Sequence, residues 1–176
     1  MTFSLIPEKI RLPQWGDVYF AEEVTSTNDV AAQLYKQGSP MFTAVWANAQ
    51  SKGRGRLGRT WQTYPDVGLA CSVVVPERGH LLPIIISVCL HKALSRFAED
   101  GLAQNLTIKW PNDILIGEKK LAGILIESHT DGHKDSKGGR FYVVGIGLNV
   151  TSPPQGFDDA PNAEALHQIC HAAPER

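Results

Sequence analysis

Apolar and polar positions divide the chain into extended and helical stretches in turn. Asp17 to Val24 is apolar and β-branched enough for a strand. Ser26-Thr27-Asn28 then offers capping oxygens before an alanine-rich helix running to about Gln37, where Gly38-Ser39-Pro40 stops it. A second strand is expected over Thr43 to Asn48. After a polar run from Gln50 to Thr60, a third, largely apolar strand follows over Gly68 to Pro76. The longest helix comes next. Leu82, Ile86, Cys89, Leu90, Ala93 and Phe97 recur at helical steps and place one apolar stripe against a sheet between about Leu81 and Asp100.

Beyond Gly101 the pattern returns to strands. Leu106, Ile108 and Trp110 alternate with Thr107 and Lys109 up to a turn at Pro111-Asn112-Asp113. Ile114 to Ile116 turns at Gly117-Glu118-Lys119, and Leu121 to Glu127 resumes. Asp131 to Arg140 is polar with two adjacent glycines and reads as an exposed hairpin connection into the strand Phe141 to Val150. A short helix is expected from Asn162 to about Ala172, and no internal repeat appears. These elements predict an α+β fold, one mixed, mostly antiparallel sheet with helices packed on one face. A single domain is expected over residues 1–176, with a short N-terminal extension over about 1–16.

With 176 residues, 43% of them apolar, the chain can bury a core without covalent staples. Seventeen Lys and Arg against eighteen Asp and Glu leave a formal charge of −1, so the whole chain is no electrostatic footprint for nucleic acid or acidic membrane. Any positive site must be local. The N-terminus lacks the apolar core of a signal peptide, and Leu81 to Leu90 is too short to span a bilayer; a cytoplasmic protein is expected. Cys71, Cys89 and Cys170 are odd in number and set in apolar runs, which suits reduced core thiols.

Local positive charge collects in Gly53-Arg54-Gly55-Arg56-Leu57-Gly58-Arg59, which matches G-x-G-x-x-G. A dinucleotide site needs a helix directly afterwards, and Thr60 to Pro65 has no helical period. No Gly-Lys-Ser/Thr closes the segment, so it is not a P-loop. What remains is a loop with Lys52, Arg54, Arg56 and Arg59 among glycines. Such a loop can wrap backbone N–H groups and guanidinium forks around phosphate or carboxylate oxygens, or it can be a solvated basic turn. An Arg-Gly RNA-binding segment is a third reading, one that lacks interleaved aromatics.

Read through to Trp61, the segment resembles the biotin protein ligases, whose glycine-arginine motif stands complete as Gly53 to Trp61. The resemblance continues in the family's order through Ser26-Thr27-Asn28, Gln50, Lys109 to Asp113, Lys120 to Glu127 and Gly145 to Asn149, about Phe20 to Val150. It implies an enzyme that joins biotin to ATP as biotinyl-5′-adenylate, with Mg²⁺, and then passes biotin to a lysine of a biotin carboxyl carrier protein. An anionic carboxylate attacking a phosphate needs aimed cations, and the resemblance assigns these to Lys120, Arg56 and Arg54. It assigns biotin contacts to Ser26, Thr27, Asn28, Gln50, Gly53, Arg54, Trp61, Lys120, Gly123 and Ile124. Nucleotide contacts fall to Arg56, Lys109, Asn112 and Asn149. Asp113 is a turn former after Pro111, a metal ligand or a partner for lysine.

Two departures from the family shape the expectation. About sixteen residues precede Asp17, broken by Pro7 and Pro13, so no helix-turn-helix is expected; 27 residues follow Asn149, too few for the family's SH3-like domain. An active ligase is the first reading, a relative that binds biotin or its adenylate without efficient transfer the second, and a nucleic-acid module a distant third. Adenylation is expected to outrun transfer. The loop from Gln50 to Thr60 is expected to be mobile alone and ordered by ligand. Monomer and homodimer both stay open. His129 with His133, and His167 with His171, have zinc-like spacing, yet no Cys-x-x-Cys accompanies them and no zinc is expected.

Overall fold

The computed structural model describes residues 10–11, 16–99, 102–130, 139–153, 156–157, 162–168 and 170. Its strands are β1 (Ile10–Arg11), β2 (Asp17–Val24), β3 (Ala44–Gln50), β4 (Gly68–Pro76), β5 (Leu106–Lys109), β6 (Asp113–Ile116), β7 (Lys119–Thr130) and β8 (Arg140–Asn149). Two α-helices join them, α1 (Thr27–Lys36) and α2 (Leu82–Ser95). The strands form one mixed sheet in the order β1-β2-β3-β4-β8-β7-β6-β5. β2 and β3 pair in parallel across the α1 crossover, and every other neighbour pair is antiparallel.

The expected class holds, but the expected layering does not: the helices lie on opposite faces. Along β8, Phe141 and Val143 pack with Val30, Ala31 and Ala32 of α1, while Val144 beside them packs with Leu82 of α2. Neighbouring strand residues point to opposite sides, so each helix buries a different face. Both helical patterns are apolar, and a strand covered on both sides carries no alternation to assign them. The two helices are also offset. α1 covers β3, β4 and part of β8, whereas α2 packs against β5 and β6 from behind.

α2 is shorter than expected and buries a narrower row. Leu82 and Leu94 are buried and Ile86 and Leu90 half-buried, a ridge at four-residue steps, with Ser87 buried beside it. Cys89, Ala93 and Phe97 face solvent, which also removes Cys89 from the core thiols. Burial pushes the Cys71 thiol up to about 11, and Cys170 is raised by burial as well.

A β-bulge interrupts β7. Ile114 pairs with Ala122 but Leu115 pairs with Lys120, so Leu121 is the extra residue. Leu121 and Ala122 both enter the core behind the sheet with Leu94, Leu106 and Leu148. Lys120 is thereby turned to the front, the face that α1 covers.

The expected helix after Asn162 is not one within the described residues; 169, 171 and 172 lie outside them. The segment pairs with β7 instead, through Lys120 N–H to the Asn162 carbonyl (2.6 Å) and Glu164 N–H to the Lys120 carbonyl (2.9 Å), and then makes a short 3₁₀ turn over Leu166–Gln168. Residues 131–138 of the expected hairpin connection, His133 among them, also lie outside the described residues. The strands it joins are antiparallel neighbours. Part of the expected extension belongs to the sheet, since β1 pairs with the edge of β2.

Candidate active site

Because α1 covers only half of its face, the front of β6, β7 and the adjoining part of β8 has no helix above it among the described residues. The chain after β3 crosses that gap and leaves a cleft of about 200 Å³ beneath. Its floor is glycine. Gly123 and Gly147 are paired across β7 and β8, with Gly145 two residues along. A Cβ on Gly147 would lie 2.5 and 2.6 Å from Cζ2 and Nε1 of Trp61, so the indole packs directly against bare backbone. A Cβ on Gly123 would meet Trp61 Cζ3 at 3.0 Å and Lys120 Nζ at 3.1 Å, which confirms that the bulge delivers Lys120 here.

One end of the cleft is neutral and hydrogen-bonding. Ser26, Thr27 and Asn28 are each 3% exposed at the start of α1. Ser26 occupies the N-cap position without a side-chain capping bond. The helix end is satisfied from β3, where Gln50 Oε1 accepts from Thr27 N–H at 2.8 Å and Gln50 Nε2 donates to Thr63 Oγ1 at 3.1 Å. Ser72, fully buried in β4, donates to Asn28 Oδ1 at 2.6 Å and lies 2.7 Å from Thr27 Oγ1. Asn28 Nδ2 donates to Glu127 Oε2 at 2.6 Å.

The other end is cationic. Lys120 Nζ is 2.8 Å from Asp113 Oδ1 and 5.3 Å from the centroid of a Trp61 ring. Asn112 Nδ2 donates to the same Asp113 oxygen at 3.1 Å, and Arg56 Nη1 donates to Asn112 Oδ1 at 2.8 Å. Asp113 is therefore the partner of a lysine. Arg56 meets a neutral amide there, so among the described residues no carboxylate offsets its charge.

Arg54 is placed differently. Its Nη1 and Nη2 grip both Asp29 oxygens at 2.7 Å, and Nη2 also donates to Glu127 at 3.1 and 3.2 Å. The Asp29 hydrogen bond is the main cause that raises the Arg54 pKa, and the same bond holds the Asp29 carboxyl below the usual carboxylate range. The loop carries its own framework: Gly55 N–H to the Arg59 carbonyl (2.7 Å) and Trp61 N–H to the Gly53 carbonyl (3.0 Å) make it a narrow hairpin. Gly53 sits at its base, where a Cβ would strike the Trp61 carbonyl.

Ser26, Thr27, Asn28, Gln50, Arg54, Arg56, Trp61, Asn112, Asp113, Lys120, Gly123 and Ile124 thus share one cleft. Ile124 contributes backbone, since its side chain packs with Leu82 and Val144 behind the sheet. Gly53, Lys109 and Asn149 do not line it. Lys109 is exposed on the edge strand, and Asn149 Nδ2 donates to the Glu164 and Lys120 carbonyls at 3.1 and 3.4 Å. Three participants escaped the sequence reading: Asp29, Ser72 and Glu127. Ser72 left a signal, a hydroxyl on the face of β4 shared with Ala70 and Val74. The His129 ring stacks on Phe141 at 5.3 Å, and desolvation lowers its pKa. His171 lies outside the described residues. No helix among the described residues is long and apolar enough to cross a membrane.

Residues 20–149 match the Biotin/lipoate A/B protein ligase family. The chain is 35% identical over 144 residues to the biotin--[acetyl-CoA-carboxylase] ligase of Paracoccus denitrificans, covering 78% of this chain and 57% of that one. It is 32% identical over 170 residues to the ligase of the same name from Mycobacterium tuberculosis, covering 92% and 59%. In structure it superposes on the biotin protein ligase of Aquifex aeolicus in complex with biotin and ATP, with a TM-score of 0.71, 30% identity, and coverage of 90% of this chain and 63% of that one. The chain spans about half the length of the curated relatives it matches.

Proposed function

From the premise that this chain belongs to the Biotin/lipoate A/B protein ligase family, we propose that it activates biotin with ATP and passes the biotinyl group to a lysine of a biotin carboxyl carrier protein. The observation that carries this reading is the polarity of the cleft: a neutral hydrogen-bonding end and a cationic end, joined by a flat glycine floor roofed by an indole. A ureido ring on an apolar body with a carboxylate tail has that same order of chemistry.

The ring goes to the Ser26, Thr27, Asn28 and Gln50 end. Its carbon body runs alongside Trp61, whose indole already covers Gly147, which brings the carboxylate to Lys120 and Arg56. In adenylation a carboxylate oxygen forms a bond to the α-phosphorus and the bond to pyrophosphate breaks. Two anions meet in that step, so the cations of Lys120 and Arg56 stabilise charge where it builds up. Asp113 holds Lys120 in place. In transfer the acceptor amine attacks the carbonyl carbon and AMP leaves. Asn112, and Lys109 on the edge strand paired with Asp113, take the nucleotide in this reading, while Asn149 acts by fixing the 163–164 segment.

Among the described residues no three His, Cys, Asp or Glu side chains are grouped as a dedicated metal cage would need. Of the residues present, the Asp113 carboxylate beside the cationic end would be the group to hold Mg²⁺, and the ion would neutralise part of the phosphate charge there. A cytoplasmic location accompanies this reading.

The test is pyrophosphate release with biotin, lipoate and octanoate as competing acids, paired with labelling of a carrier domain. Release with biotin alone, followed by labelling, is the expected result. Equal release with octanoate would refute biotin as the substrate. Release without labelling would refute the transfer step.

A further inference from the structure

The polar groups at the neutral end form a continuous chain that begins and ends in the arginine loop. Arg54 near the loop's start donates to Glu127, and Glu127 accepts from Asn28. Asn28 accepts from Ser72, which contacts Thr27, whose N–H and hydroxyl both reach Gln50; Gln50 donates to Thr63 at the loop's exit. Glu127 is the junction. Its Oε2 lies 2.6 Å from Asn28 Nδ2 and 3.1 Å from Arg54 Nη2, so one carboxylate serves both the recognition end and the loop. Arg54 therefore has its charge met by two carboxylates of the chain itself, which sets it apart from Arg56.

We infer that Glu127 is a positioning residue which, by holding Arg54 and Asn28 together, makes the arginine loop and the neutral end of the cleft one mechanical unit. The carboxylate orients both partners: moving Asn28 shifts the acceptor that Arg54 needs, and losing Arg54 leaves Glu127 and Asp29 as two carboxylates facing each other. Ser72 joins this unit from the far side. It hydrogen-bonds no residue of the loop, yet it fixes the Asn28 amide that Glu127 grips. The part this unit plays in binding biotin rests on the function proposed above; the linkage itself does not.

Limited trypsin digestion of the full chain tests it, because Lys52, Arg54, Arg56 and Arg59 lie in the loop, while Lys92 and Arg96 at the end of α2 report general unfolding. Without ligand, Glu127→Gln, which keeps the shape and removes the charge, should speed loop cleavage about tenfold relative to cleavage in α2. Ser72→Ala should speed it about threefold although it lies outside the loop. The double variant should be cleaved no faster than Glu127→Gln, as expected of two members of one chain. Loop cleavage in both single variants within twofold of wild type overturns the inference. So does acceleration in Glu127→Gln alone, which is local loss of an ion pair, or a multiplicative effect in the double variant. Equal acceleration at the loop and in α2 overturns it too, since that is global destabilisation. Calorimetry of wild type with biotin is run alongside. Failure to bind biotin would bring down the assigned substrate, while the digestion still decides the linkage.

Discussion

Gly147→Ala tests the glycine floor directly. The added methyl would sit 2.5 and 2.6 Å from two indole atoms and nearer still to a third, where ordinary contact begins at 3.4 Å. Trp61 must therefore rise by about 1 Å, because β8 is held by two neighbouring strands and cannot retreat. Trp61 stands on a partly exposed loop, so it can give way without unfolding the core. The cost should fall on the cleft, whose roof and Lys120 contact move together. Overpacking of this kind costs about 1–3 kcal/mol, on the order of a 10- to 100-fold loss in biotin affinity. Neighbouring floor positions predict a ranking. At Gly145 the methyl meets the Asn28 amide, which is pinned by Ser72 and Glu127; at Gly123 it meets one ring atom and the flexible end of Lys120 at 3.0–3.1 Å. Titration calorimetry with biotin, with thermal melts as control, should give Gly147→Ala the largest loss and Gly123→Ala the smallest. A Gly147→Ala variant that binds within twofold of wild type, or a Gly123→Ala variant that binds worse than it, would refute the floor-and-roof geometry.

Lys120→Ala should lower single-turnover adenylation about a hundredfold, the usual cost of removing a preorganised cation at developing charge, with an unchanged melting curve; near-normal rates would remove Lys120 from the chemistry. Arg56→Gly deletes the guanidinium whose charge no described carboxylate offsets, and should release more adenylate to water; a paired assay should show carrier labelling falling further than pyrophosphate release. Desolvation depresses the His129 pKa despite the raising influence of Glu127 and Asp29, with Lys36 and Arg54 also lowering it. Folding then favours the neutral ring, so its contribution is full above the ordinary histidine value of 6.5 and is lost as pH falls through the lowered one. His129→Phe, which keeps the stack on Phe141, should melt with a flatter pH dependence below pH 6.5 than wild type; parallel curves would exclude His129 as the sensor.

Much of this architecture is legible in the chain because local signals agree. Gly68–Pro76 is bounded by glycine and proline and folds over those residues, and Thr27–Lys36 starts at a Ser-Thr-Asn cap and stops before Gly38-Ser39-Pro40. The glycine-arginine segment and Lys120 announce the cationic end. What stays hidden depends on relations between distant elements. The opposite placement of the helices follows from which face of β8 each one meets. The narrow buried ridge of α2 reflects a neighbour on one side only, so Cys89 and Phe97, though in helical register with the core, stay in water. The segment after Asn162 is set by pairing with β7, which overrides local propensity. Asp29 and Glu127 read as ordinary surface acids until folding brings Arg54 between them. Arg54 itself looks like one of several equivalent loop cations, and only its two partners distinguish it.

The extra residue in β7 gives that strand a phase. Upstream of Leu121 the even-numbered side chain at Lys120 looks forward; downstream the odd-numbered positions Gly123 and Glu127 do. Both ends of the cleft hang on this one shift of parity, since Lys120 and Glu127, seven residues apart, would face opposite ways in an unbroken ladder of the same length. Leu121, fully buried beside Ala122, is the weight that holds the shift, because two consecutive side chains enter one core. A polar residue at 121 would remove the reason for that, and an upstream half slipped by one place would bring position 121 forward and send Lys120 into the core. Removing the residue altogether has a different outcome for the site. Lys120 would then join Ala122 in regular alternation and keep its amine at the front, at the expense of a buried leucine. Position 121 thus stores its information in apolarity, and the strand tolerates losing it better than having it turned polar.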